Sequence, residues 1–211
     1  MSELNFTHSN GNKVKLTTPD TLAANRTFNL PGADGTAGQV LQTDGNGNLS
    51  FVDPPTNTPA FFAYWNANNS QTIANQTDVK ATWLTAELFD TDNAYNTSTQ
   101  TFTVPAGKGG FYTFNAGVQM YSNGNSLRSV IIRLRKNGSG TWVAGNYSQI
   151  MNSDENRVRH HQAHLQTILN LAAGDTIELI CYGQVLNNSL YISNDASGVK
   201  SNFLSAYKLI L

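Results

Sequence analysis

The chain has 211 residues, room for one good-sized domain or a domain with a small appendage. Its formal net charge is −1 and only 13% of its residues are charged, so no basic excess exists to neutralise phosphates and no nucleic-acid partner is expected. Asn, Thr, Ser, Gln and Gly carry the polarity, a composition poor for helices and suited to strands and turns.

The N-terminus (Met1, Ser2, Glu3, Leu4) has neither a basic n-region nor an apolar h-region, so no secretory signal is expected. Nor does any apolar run approach the roughly 20 residues of a membrane helix, and membrane insertion is not expected. Lys13-Val14-Lys15-Leu16 alternates like a short strand, and Phe28-Asn29-Leu30-Pro31 is a second short apolar piece. A glycine-rich turn over 32–38 follows. Residues 39–43 and 48–52 read as paired strands, with Asp44-Gly45-Asn46-Gly47 supplying the positive-φ positions of a hairpin turn. A lone hairpin is marginal in water, so this stem over 22–53 calls for partners, which three copies around an axis would supply. Pro54, Pro55 and Pro59 stiffen the linker at 54–59, where the domain boundary is placed.

From Ala60 onward, short strands recur with turn signals between them, the pattern of an all-β sandwich or barrel. The expected strands are 61–65, 82–89, 101–104, 110–121, 127–136, 141–149, 159–171, 176–185, 190–193 and 202–211. Within them Leu165, Leu169 and Leu171 fall on one face, and Ile132 and Leu134 alternate with Arg133 and Arg135. Asn137-Gly138 reads as a hairpin turn. Cys181, the single cysteine, sits in an apolar run and reads as a small buried hydrophobe.

Several landmarks occur together and in order. They are Ala60-Phe61-Phe62-Ala63, Tyr95, Phe102-Thr103-Val104-Pro105-Ala106-Gly107, Gly110-Phe111-Tyr112-Thr113-Phe114, Leu134-Arg135-Lys136-Asn137-Gly138, Leu169-Asn170-Leu171-Ala172-Ala173-Gly174-Asp175 and Ser201-Asn202-Phe203-Leu204. Over 60–211 the sequence therefore resembles the globular head of the complement one-q family, relatives of tumour necrosis factor (TNF). An Asn-rich insertion at 66–79 and an extra glycine at 107–110 depart from that pattern. The resemblance implies a ten-stranded jelly-roll sandwich that forms a homotrimer. In that fold Trp83, Phe111, Tyr112, Phe114 and Phe203 are expected to supply buried aromatic area.

The stem segment from Ala33 through Gly38-Gln39-Val40-Leu41 and Asp44-Gly45-Asn46-Gly47-Asn48-Leu49 resembles a segment common in tail-fibre and related structural proteins of marine phages. Stem and head together imply a virion fibre made in the host cytoplasm. Residues 1–21 would dock onto a phage tail or capsid protein, and the head would face a host surface glycan or protein.

No catalytic motif, nucleotide loop or cysteine-pair zinc pattern occurs, so neither an enzyme nor a cofactor is expected. Asp154-Glu155, the only adjacent acidic pair, reads as a solvated loop and leaves a depolymerase as a minor alternative. His160 and His164 share a strand face, opposite the leucine face. If that face lines a trimer axis, six imidazoles gather there, to bind a metal, respond to acid or simply make interface hydrogen bonds. Alternating strand directions place loops 104–109, 137–140 and 172–175 at the base beside the stem, and loops 122–126, 151–156 and 186–198 at the far tip. The tip candidates for receptor or glycan contact are Asn123, Asn125, Asp154, Asn187, Asn188, Tyr191, Asn194 and Asp195. The favoured expectation is host attachment. A decoration fibre without a receptor and a secreted TNF-like ligand are the alternatives.

Overall fold

Side-chain alternation along short segments dictates strands throughout. The computed structural model of the chain has no helix among its described residues, which are 3–17, 21, 23–67, 70–124, 126–138, 140–150, 158–186, 189–193 and 200–210. The chain falls into two compact units, Met1–Pro55 and Thr56–Leu211.

The first unit holds two hairpins. β1 (Glu3–Thr7) pairs antiparallel with β2 (Lys13–Thr17), and β3 (Val40–Thr43) with β4 (Leu49–Val52). The sequence reading finds β2, β3 and β4 but not β1. In the β3–β4 turn, Gly45 and Gly47 take φ of 83° and 98°, open to glycine at little cost. Asp44 Oδ1 accepts from the Asn46 N–H at 2.7 Å and the Asn48 N–H at 3.1 Å, while the Asn48 side-chain amide donates to Oδ2. That amide and the backbone donors hold the Asp44 carboxyl below its ordinary range. Asn29 joins the hairpin, donating its N–H to Gly47 O at 2.8 Å and accepting from the Leu49 N–H at 2.9 Å. Among residues 4–13, 21 and 23–55 none is buried, and Leu4, Phe6, Phe28, Leu30, Val40, Leu41 and Phe51 are all exposed.

The second unit runs through β5 (Ala60–Tyr64), β6 (Ser70–Ile73), β7 (Val79–Lys80), β8 (Ala86–Asp90), β9 (Tyr95–Asn96), β10 (Thr101–Thr103), β11 (Gly110–Ser122) and β12 (Leu127–Lys136). It continues through β13 (Trp142–Gln149), β14 (His160–Leu171), β15 (Thr176–Val185), β16 (Leu190–Ser193) and β17 (Phe203–Lys208). Each of the ten strands expected from sequence has a counterpart. Among the described residues three short ones are added, β6, β7 and β9. The expected strand at 82–89 is trimmed, because Thr82–Thr85 turns through i+2 and i+3 backbone bonds before β8 begins.

These strands make two sheets. One is ordered β13-β12-β15-β10-β9, with β7 also on β15. The other is ordered β6-β16-β11-β17-β5-β8, with β14 along the free edge of β11. The chain passes from sheet to sheet at β6–β7, β7–β8, β8–β9, β10–β11, β11–β12, β13–β14, β14–β15 and β15–β16, which gives a jelly-roll-like sandwich.

Between the sheets, Tyr112, Phe114, Ala116, Val118 and Met120 of β11 share a buried core with Ile132 and Leu134 of β12 and Ile177, Leu179 and Cys181 of β15. Phe102 anchors the aromatic part, stacked on Phe61 at 5.1 Å and edge-on to Phe114 at 5.5 Å. The Cys181 thiol is fully buried, and burial pushes its pKa upward. Two of the five aromatics expected in the core do not lie there. Phe111 and Phe203 stand on the outer face of the seven-stranded sheet, because each alternates with a buried neighbour, Tyr112 and Leu204.

Candidate functional site

The turns of the second unit gather at its two ends. At the end where the chain enters, Val104 N–H donates to Asp175 O at 2.9 Å, and Asn137 Nδ2 donates to Asp175 Oδ1 at 2.9 Å. Asn137 and Gly138, which open the five-residue connection 137–141, take positive φ of 55° and 61°, a conformation that asparagine and glycine adopt readily. Asp175 also accepts from Lys136 Nζ at 2.6 Å and from the Ala172 N–H at 2.7 Å. The lysine first, then the asparagine and backbone donors, hold its carboxyl at about 2.

At the opposite end, Ser122 N–H donates to Arg159 O at 2.9 Å, Leu127 N–H to Val158 O at 3.2 Å, and Leu186 N–H to Ser126 O at 3.1 Å. These bonds draw the flanks of the three expected tip loops together. Asn123 is exposed there. Asn125, Asp154, Asn187, Asn188, Asn194 and Asp195 lie outside the described residues, as does Glu155. Tyr191 is a strand residue of β16, half-buried, with its ring stacked on Tyr121 at 4.8 Å. Tyr121 in turn stacks on His160 at 5.1 Å, so His160, Tyr121 and Tyr191 form a cross-strand ladder over β14, β11 and β16.

The sequence reading misses one contributor to this end. Asn75, inside the Asn-rich insertion, donates to Val185 O at 3.2 Å and accepts from the Val185 N–H at 3.0 Å. The insertion supplies β6 to the edge of one sheet and β7 to the edge of the other. Its many amides were the available signal, since a side-chain amide can imitate a strand neighbour's paired donor and acceptor.

The outer face of the seven-stranded sheet carries several large apolar side chains. One cross-strand row runs Ile168, Thr113, Tyr207; the next runs Gln166, Asn115, Ser205, Phe62, Phe89; a third runs His164, Gly117, Phe203, Tyr64. Phe203 stacks on Phe62 at 5.4 Å and lies over Gly117, where a Cβ would meet its ring at 2.6 Å. Ile168, Phe89, Tyr207 and Phe111 remain 60%, 47%, 42% and 40% exposed on this face. Several large apolar side chains left exposed on one sheet face mark a candidate contact surface.

His160 and His164 stand on the same face, as their spacing predicts, while His161 points inward. Four residues of strand separate the two, about 13 Å, too far for one chain to ligate a single ion with both. Among the described residues no group of three or more His, Cys, Asp or Glu converges as a metal site. Burial first, and Arg159 second, lowers the pKa of His160; burial and then His164 lowers that of His161.

The outer face of the six-stranded sheet is chemically different. Glu178 pairs with Lys80 at 2.5 Å and with Arg135 at 2.8 Å, and Arg133 pairs with Asp78 at 2.7 Å. Burial alone would raise the Glu178 carboxyl, but hydrogen bonds from Lys80 and Arg135 outweigh it and hold the group below its ordinary value. No helix among the described residues is long and apolar enough to cross a membrane.

No family model matches the sequence, and no curated protein matches it. Among solved structures, the globular domain of zebrafish complement 1qA protein aligns over 72% of this chain and 98% of its own, at 13% identity and a TM-score of 0.46. Eiger TNF from S. frugiperda aligns over 72% of this chain and 92% of its own, at 12% identity and a TM-score of 0.49. The two-sheet assignment itself rests on the strand pairing described above.

Proposed function

We propose that the chain is a homotrimeric fibre protein of a bacteriophage particle whose sandwich is the host-attachment head. The observation that carries the self-association is the uncovered apolar face of the seven-stranded sheet, bearing Phe89, Phe111, Ile168 and Tyr207. The β3–β4 hairpin, none of whose residues is buried, points the same way, since it needs other surfaces to become stable. The number three and the phage context come from the sequence resemblances of the head and of the stem segment 33–49. The role is binding and structural rather than catalytic. Residues 1–21 dock the fibre to a tail or capsid protein, and the gathered tip loops face the host glycan or protein. Three heads per fibre make weak individual contacts sufficient, through avidity.

The test has two arms. Antibodies to the purified chain, applied to intact particles, are expected to label the virion; unlabelled particles would refute the phage assignment. Fluorescent full-length protein is expected to bind host cells saturably. Labelled virions without cell binding would instead establish a decoration fibre that has no receptor.

A further inference from the structure

The strand β13 carries two large aromatic side chains outward on the six-stranded sheet, Trp142 and Tyr147, which remain 39% and 59% exposed. A register shift at Leu134/Arg135 brings Trp142 opposite Arg135 and changes the phase of the strand, so that both rings leave the sheet on one side. Between them lies Gly145, the cross-strand partner of Arg133. A Cβ at Gly145 would meet Arg133 Cγ at 3.2 Å, so the arginine stem rests on bare backbone there. The Arg133 guanidinium then sits 4.8 Å from the Trp142 ring and 6.0 Å from the Tyr182 ring, tied to Asp78 at 2.7 Å. The result is a shallow notch. Its floor is the glycine and the arginine stem, and its walls are Trp142 and Tyr147, the latter about 7 Å from Gly145 along the strand.

We infer that this notch is a carbohydrate site for a single neutral pyranose residue of a host-surface glycan. The inference rests on the attachment reading and gives it a place outside the tip loops. Exposed aromatic rings offer flat apolar faces to the C–H side of a sugar, and a fixed guanidinium offers aligned donors to its hydroxyls. Charge selects the class of sugar. The guanidinium at the notch, that of Arg133, is itself ion-paired with Asp78, which favours a neutral sugar there, while Lys80 and Arg135 share the single carboxylate of Glu178 and leave one positive charge in excess on that triad. The same ion pairs make it unlike the apolar face on the opposite sheet, which suits a subunit rather than a sugar. A notch with this few contacts binds weakly, and presentation on three chains compensates.

Saturation-transfer NMR tests the assignment, using the full-length protein and the methyl glycosides of glucose, galactose, mannose and N-acetylglucosamine. Saturation of the ring protons of at least one glycoside is expected. Tyr147→Ser should reduce that signal at least fivefold, Trp142→Ala should do the same, and Asn123→Ala at the tip should leave it unchanged. Tyr147 is mostly solvent-exposed, so Tyr147→Ser should keep the wild-type mass and melting temperature and remain a fair test. No saturation of any glycoside, or saturation that survives both aromatic variants, overturns the site. Equal host-cell binding by wild type and Tyr147→Ser overturns the notch as the attachment site and leaves the attachment reading standing. Absence of cell binding by the wild type overturns the attachment reading, and the glycoside signal then still decides the notch.

Discussion

The two outer faces of the sandwich are woven from the same kind of alternating strand, yet they solve the problem of facing outward differently. On the six-stranded sheet the outward positions mix ion pairs with aromatic rings, Glu178 being shared between Lys80 and Arg135 and Arg133 held by Asp78, beside Trp142, Tyr147 and Tyr182. On the seven-stranded sheet they include Phe62, Phe111, Phe203, Tyr207 and Ile168 without an ion pair between them, interrupted by Gly117 and Ser205 and by the uncharged polar side chains of Asn115, Gln166 and Asn170. Water accommodates the first face indefinitely. The second exposes apolar area that association would remove at about 25 cal/mol per Å². The contrast separates a surface made for solvent and weak ligands from one made for another subunit.

Breaking that contrast should have its largest effect at Ile168. An aspartate there places an uncompensated charge in the proposed subunit contact, at a cost of about 3–5 kcal/mol. Ile168→Asp is therefore expected to release monomers at concentrations where the wild type stays associated, with the far-UV strand spectrum unchanged, as light scattering and circular dichroism will report. Gly117→Ala should come next. Its methyl group would stand 2.6 Å from the Phe203 ring and 3.0 Å from Ser201 O, so the ring must lift from the sheet. Overpacking of this kind costs about 1–3 kcal/mol, read as a lower melting temperature together with weakened association.

Acid should act at two places. At the base, the Asp175 carboxyl is held at about 2 against an ordinary 3.8, so its contribution is complete above pH 3.8 and fades as the pH falls toward 2. Asp175→Asn should remove that part of the acid dependence in pH-resolved denaturation. On the sheet face, His160 is lowered from an ordinary 6.5 by burial and by Arg159, with Tyr121 stacked against it. Its neutral form is the folded one, so stability is complete above pH 6.5 and declines as the pH falls toward the lowered folded value. His160→Gln should flatten that decline. The smallest change belongs to the solvent face. Glu178→Gln should cost about 1 kcal/mol, because its partners are partly exposed, and should leave the association state untouched.

Much of this architecture is legible in the sequence because period-two alternation survives wherever one strand face meets the core. Leu165 and Leu171 against His160 and His164 is such a case, and both faces lie as the pattern says. The short strands escape notice for the opposite reason. Ser70–Ile73 and Val79–Lys80 are edge additions whose pairing depends on β16 and β15, not on their own composition. At Thr82–Thr85 the buried Trp83 and Leu84 imitate a strand while the backbone turns. Phe111 and Phe203 mislead because aromatic residues imply a core, whereas alternation with Tyr112 and Leu204 sends them outward. The aromatic notch at Trp142 and Tyr147 was hidden by a register shift, which breaks the simple count along β13. The base turn, by contrast, could be read directly from Asn137-Gly138 and Gly174-Asp175.

The most direct test of the central claim is the solution mass of the Thr56–Leu211 unit and of the full chain, measured by light scattering across a dilution series. The account predicts three times the mass of one chain, 22.9 kDa for the full sequence, and loss of that state in Ile168→Asp. A monodisperse monomer at high concentration, with Ile168→Asp indistinguishable from the wild type, would contradict it.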